Sequence, residues 1–230
     1  LGMSLKIKIM MKENTKFGDL FDAIICICMD SEEETWQNQC LPQFEKLNIK
    51  ETDVIRHPGG NPNDFKNAHG CCVAHYNVLR LCKEKQFKRP LILESDFELT
   101  HKFSLEKIQN AITSLENLDW NILSLGGKIK SWKPELINDY IIKTAFEYTH
   151  AIVYNGIYID EILGIVENSL RRTPGVNIDK IYSRYRFRIV DKCYMTKDLC
   201  ILQGGNNGSY KRSGRALKAY KIKMRRMNDE

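Results

Sequence analysis

Three carboxylates crowd the end of one apolar run. Pro90-Leu91-Ile92-Leu93 leads straight into Glu94, Ser95, Asp96 and Glu98. Like charges this close repel unless something positive sits among them. A divalent cation that favours hard oxygen ligands, Mg²⁺ or Mn²⁺, would neutralise them, and such ions commonly bridge carboxylates to a substrate's phosphates. A solvated strand-to-loop turn, where Asp and Ser are favoured anyway, would hold the same residues without a metal. The eight cysteines, at 26, 28, 40, 71, 72, 82, 193 and 200, show no C-x-x-C pairing. They read as buried free thiols rather than as a zinc framework or a disulfide ladder.

The elements around the acids alternate between two periodicities. Ala23-Ile-Ile-Cys-Ile-Cys-Met29 is continuously apolar between Asp22 and Asp30, as expected of a strand buried on both faces. Trp36, Leu41, Phe44 and Leu47 recur at helical spacing, and Val54-Ile-Arg-His57 is a second short strand. Residues 57–69 are loop by composition, with two Gly, two Pro and three Asn. From Gly70 the chain turns helical, with Cys71, Ala74, Val78 and Cys82 on one stripe. Pro90–Glu94 is the next strand. Ser104 is a candidate N-cap for a helix burying Leu105, Ile108, Ile112 and Leu115. Asn121–Leu125 and Ala151–Tyr154 are further strands, and a helix starts at Gly156. Alternating strands and helices with short loops predict an α/β domain whose mostly parallel central sheet is flanked by helices on both faces. In such sheets ligands bind beyond the carboxyl ends of the strands, where Glu94–Asp96 stand.

Net charge is +6, but it is not spread evenly. Residues 211–230 hold eight Lys/Arg against two Asp/Glu, so the rest of the chain sums to zero. The organisation expected is an N-terminal extension (1–19), one globular domain (20–212) and a basic amphipathic tail (213–230). In the tail Leu217, Tyr220, Met224 and Met227 form the apolar stripe. Such a tail could lie on an anionic membrane or pack on the domain. A neutral globule without clustered aromatics argues against a nucleic-acid partner. No apolar run approaches the ~20 residues of a membrane span, and the opening segment lacks the apolar core of a secretory signal. A cytoplasmic protein is expected, with peripheral membrane or virion association as the alternative. The oligomeric state is open.

Six stretches taken together resemble glycosyltransferase family 25, the lipopolysaccharide and collagen galactosyltransferases. They are Ala23–Asp30; Gly70-Cys71-Cys72-Val73-Ala74-His75; Leu91–Asp96, similar to a strand ending in an acidic triplet; Trp120-Asn-Ile-Leu-Ser-Leu-Gly-Gly127; Asp179 in Arg171-Arg-Thr-Pro-Gly-Val-Asn-Ile-Asp-Lys-Ile181; and Cys200–Ser209, with Gln203. They cover roughly residues 20–212 in order. The resemblance implies a GT-A (Rossmann-like) single domain. It also implies hexosyl transfer from a UDP-sugar, galactose or glucose, to a hydroxyl of a glycan or of a hydroxylysine-type protein acceptor, by an inverting, metal-assisted displacement. Ser95 stands in the middle of the acidic triplet, and Asp30-Ser-Glu-Glu33 stands where a basic residue usually follows the first strand. These departures leave a second reading, a transferase-like module that binds sugar or protein without turning it over.

The resemblance also implies roles. Asp96, supported by Glu94, would hold Mn²⁺ or Mg²⁺. Asp179 would take the acceptor's proton, with Glu98 as the alternative base. Ser95 would bond ribose or phosphate, Gln203 and Ser209 would contact the diphosphate, and Met29, Asp30 and Arg56 would frame the uracil. Gly70 opens a helix whose free N–H groups favour anions, and His75 is either beside the nucleotide or packed in the core. The loop 57–69 is a candidate lid.

Overall fold

The computed structural model describes residues 15–61, 65, 70–130, 134–173, 175–183 and 189–204. Ser209, the tail 213–230 and most of the loop 57–69 lie outside them. In chain order the elements are β1 (Ala23–Ile27), α1 (Glu33–Thr35), α2 (Leu41–Lys46), β2 (Val54–His57), α3 (Gly70–Lys85), β3 (Pro90–Glu94), β4 (Phe97–Leu99), α4 (Leu105–Leu115), β5 (Ile122–Ser124), β6 (Lys128–Ile129), β7 (Glu135–Leu136), β8 (Ile141–Lys143), β9 (Phe146–Glu147), β10 (Ala151–Tyr154), α5 (Ile159–Arg172), α6 (Ile178–Ser183), β11 (Cys193–Thr196) and β12 (Ile201–Gln203). A five-residue π turn, Trp36–Cys40, joins α1 to α2. Ser104 caps α4 as expected, its hydroxyl accepting from the Lys107 amide.

Among the described residues the main sheet has eight strands in the order β2-β1-β3-β10-β5-β11-β8-β7. β10 and β8 run against the other six, so the sheet is mixed but mostly parallel in direction. The reversal of β10 is absent from the sequence reading. β4 with β12 and β6 with β9 make two small antiparallel pairs outside this sheet.

Period-two alternation divides each strand between two cores. Ile24 and Cys26 of β1, Leu91 and Leu93 of β3 and Val153 of β10 face α4 and the helical stretch through Trp36 and Phe44. Ile25, Ile92, Ile152 and Tyr154 face α3, α5 and α6. Both faces are therefore covered, which is why these strands are apolar throughout rather than alternating. Burying each of Ile25, Leu91, Ile92 and Leu93 contributes about 2 kcal/mol. All eight cysteines are free and seven are buried, as expected; Cys71 is the exception, exposed at the start of α3. No described helix is long and apolar enough to cross a membrane.

Candidate active site

Glu94 ends β3, and its carboxylate is where three elements meet. Its Oε1 lies 3.1 Å from His75 Nε2. The same oxygen accepts from Thr149 Oγ1 at 2.6 Å and has Cys71 Sγ at 3.9 Å. Cys71 and His75 stand four apart on α3 and so share a face of the helix. Thr149 arrives because β10 is antiparallel. Its first residue, Ala151, pairs with Leu93, so the residues just before it fall beside the carboxyl end of β3. The Glu94 amide donates to the His150 carbonyl at 3.1 Å. A parallel β10 would have carried Thr149 to the opposite end of the strands, beside the start of β3.

The two acids of the cluster are tuned in opposite directions. Burial alone would raise the Glu94 carboxyl, but bonds from His75 and Thr149 outweigh it and hold the group at about 2. Burial and the Glu94 charge push Asp96 the other way, up to about 6. Gln203 Nε2 donates to Asp96 Oδ2 at 2.7 Å, while Asp96 Oδ1 is buried without a hydrogen-bond partner among the described residues. Neighbouring carboxylates driven apart in this way are a pattern of functional sites.

A pocket of 290 Å³ opens beside Glu94, walled by Cys71, Tyr148, Thr149, His150, Asp179 and Gln203 among others. Asp179 lies in the first turn of α6. The helix forms there because Ile178, Ile181 and Tyr182 face the core. Burial and the Glu147 carboxylate push Asp179 upward, and its Oδ1 has no partner among the described residues. Burial lowers the His150 pKa, which favours the neutral ring. Its Nε2 lies 3.2 Å from the Ile201 carbonyl, which assigns the proton to that nitrogen. Tyr148 holds φ at 74°, a left-handed conformation unusual for a bulky residue and of the kind retained at functional sites.

Gln203 reaches the pocket by a close backbone crossing. Leu125 accepts from the amides of Cys200 and Ile201, which brings the chain over the Gly126-Gly127 pair. A Cβ on Gly126 would lie 1.6 Å from the Ile201 carbonyl oxygen, so only glycine fits.

The remaining candidates divide. Gly70 is on the pocket wall. His75 is buried, as its core reading expects, and its ring bonds Glu94. Met29 and Asp30 are exposed past the end of β1, and Arg56 is occupied next to them. Its guanidinium stacks on Trp36 at 4.9 Å, pairs with Glu33 Oε2 at 2.5 Å and donates to the Met29 carbonyl at 3.0 Å. None of these three lines the Glu94 pocket. Ser95 offers its carbonyl to Cys40 Sγ at 3.3 Å. Glu98 sits in β4, opposite Leu202, and neither it nor Ser95 is on the pocket wall. Sequence reasoning overlooked Cys71, Tyr148, Thr149 and His150 as site residues. The Cys71–His75 spacing was a readable signal. Tyr148–His150 carried none, because their place depends on the direction of β10.

Comparison with models of known protein families finds no match. The chain is 27% identical over 88 residues to human procollagen galactosyltransferase 2; the match takes in 37% of this chain and 14% of the human protein. Among solved structures, one similar chain is described as a glucose-1-phosphate thymidylyltransferase from Bacillus anthracis. It is 12% identical with TM-score 0.43, over 85% of this chain and 75% of the other. Another is a glycosyltransferase involved in glycosylation of the major capsid of PBCV-1. It is 11% identical with TM-score 0.39, over 76% of this chain and 92% of the other. At these scores the structural likeness carries no argument.

Proposed function

We propose that this chain is a GT-A-type glycosyltransferase that moves a hexose from a UDP-sugar to a hydroxyl of a glycan or protein acceptor. The observation that carries the reading is the pairing of the Glu94 and Asp96 carboxylates at the carboxyl end of β3, Asp96 with a buried unpartnered oxygen, and with Asp179 on the wall of the adjoining pocket. The local match to a galactosyltransferase supports it. At 290 Å³ the pocket is near the lower end of the ~300–1,000 Å³ typical of small-molecule sites, and suits the sugar end of a donor.

The unpartnered, buried Oδ1 of Asp96 is an oxygen that a cation would satisfy, so the residues fit a divalent metal. Asp96 and Glu94 would hold Mn²⁺ or Mg²⁺, which offsets negative charge on the departing diphosphate. Asp179 takes the proton of the acceptor hydroxyl as its oxygen bonds to the sugar's C1 and UDP departs from the opposite side. The pH at which Asp179 gives up its proton is raised, which brings the group nearer working pH, where a base is most effective. Tyr148 offers a ring for the sugar's apolar face. His150, neutral and bonded to the Ile201 carbonyl, orients the wall and leaves proton transfer to Asp179.

A thermal-shift and donor-hydrolysis panel of UDP-, GDP- and CMP-sugars, each with and without Mn²⁺, tests the proposal. A UDP-sugar should raise Tm and be consumed. Stabilisation without consumption would point to the non-catalytic sugar-binding module, and no response to any nucleotide sugar would overturn both.

A further inference from the structure

The helix side of Glu94 differs chemically from its Asp96 side. There the neighbours are a thiol and an imidazole, and the ligand atoms of Cys71, His75 and Glu94 all lie within 4.8 Å of one another. We propose that these three residues form a second metal site, of the zinc class, with its fourth position open to the pocket. The proposal goes beyond the transferase reading and does not depend on it.

Donor chemistry points to the metal. Sulfur, imidazole nitrogen and a single carboxylate oxygen suit a borderline ion such as Zn²⁺, whereas Mn²⁺ and Mg²⁺ prefer oxygen alone. Geometry agrees. Zinc bonds of about 2.0–2.3 Å in a tetrahedron separate the ligand atoms by roughly 3.3–3.6 Å. His75 Nε2 and Cys71 Sγ stand 3.1 and 3.9 Å from Glu94 Oε1, and all three atoms lie within 4.8 Å of one another, so the imidazole and carboxylate are nearly placed and closing on an ion asks the thiol to move in by at most about an ångström. The ion would replace the hydrogen bond between His75 and Glu94, and the Cys71 thiol would release its proton to solvent on binding.

The surroundings are built for it. Helical spacing places Cys71 and His75 on one face of α3, and β3 presents Glu94 to that face. Thr149 Oγ1, bonded at 2.6 Å, fixes the glutamate's orientation, as outer groups do around metal ligands. His75 is 1% exposed and held rigidly, while Cys71 is exposed and gives the ion a way in. Three protein ligands with a fourth position free is the arrangement of reactive rather than structural zinc. Since Cys71 and Glu94 also wall the pocket, the free position would accept a water or a ligand oxygen there.

The test uses the full chain, stripped with chelator and titrated with Zn²⁺, and with Co²⁺ as a spectroscopic probe. One zinc per chain should bind and resist excess Mg²⁺. Cobalt should give a thiolate-to-metal charge-transfer band in the near ultraviolet. Cys71→Ser should abolish the band and weaken zinc binding by about a hundredfold or more, and His75→Gln should weaken it comparably. Bound zinc should also protect Cys71 of the wild type from iodoacetamide, a readout that needs no variant to fold. Asp96→Asn should keep the zinc. A cobalt band that survives Cys71→Ser, a Cys71 alkylated equally fast with zinc present, or no stoichiometric zinc would each overturn the site. Zinc bound without sugar transfer would sink the transferase reading alone, and transfer without zinc binding would sink this one alone.

Discussion

Replacing Asp96 with asparagine should stabilise the fold at neutral pH, and replacing its neighbour Glu94 with glutamine should destabilise it. Asp96 releases its proton at about 6 in the fold, against 3.8 for an unperturbed group. Between those values the folded state binds more protons than the unfolded chain, so stability falls as pH rises from about 4 through 6. Once both states are ionised the cost is about 3 kcal/mol, at 1.36 kcal/mol for each pH unit. The asparagine side chain removes that cost while keeping an oxygen for Gln203 Nε2. Glu94 runs opposite, at about 2 against 4.5. Its contribution, also about 3 kcal/mol, is present above pH 4.5 and lost as pH falls through 2. Thermal unfolding in chelator across pH 4–8 reads both effects, at roughly 2–4 °C per kcal/mol for a chain of this size. Asp96→Asn should melt higher than wild type at pH 7.5 and lose the downward slope between pH 4 and 6.5. Glu94→Gln should melt lower at pH 7.5. If Asp96→Asn is no more stable than wild type at pH 7.5, or the wild type shows no slope across that window, the account of the paired carboxylates is wrong.

Asp179→Asn should lower kcat for transfer by about 10²–10⁴-fold with little change in donor KM, and the wild-type kcat/KM should rise with pH through the raised Asp179 titration; steady-state kinetics across pH decides both. Gly126→Ala drives a methyl group into the Ile201 carbonyl oxygen. It should cost more than about 3 kcal/mol in urea unfolding and cripple donor binding, because Gln203 rides on the displaced segment. Tyr154 and Tyr182 share a buried hydroxyl–hydroxyl bond of 2.6 Å. Tyr154→Phe should cost about 1–3 kcal/mol by stranding its partner, and the double Phe variant should cost less than the sum of the singles.

Local signals held where an element is set by its own residues. The apolar runs at Ala23–Ile27 and Pro90–Glu94, the stripe of α3 and the Ser104 cap all form where periodicity and capping chemistry place them. The carboxylate cluster was likewise legible, because three acids at the end of a buried strand demand an explanation whatever the fold. Short strands were not legible: β6, β7 and β9 are two residues each, too brief to show a period of two. Their existence depends on partners elsewhere in the chain.

The sequence by itself determined the layered α/β design and the strand end at which the acids stand. Only the tertiary structure decided what surrounds them. It reversed β10, which set Thr149 and His150 beside Glu94. It crossed β12 over Gly126, which brought Gln203 to Asp96 from 107 residues away. Strand direction and long-range crossings depend on contacts between distant segments, and no local pattern of residues records them. For that reason the residue types were readable in advance, while the opposite tuning of Glu94 and Asp96 was not.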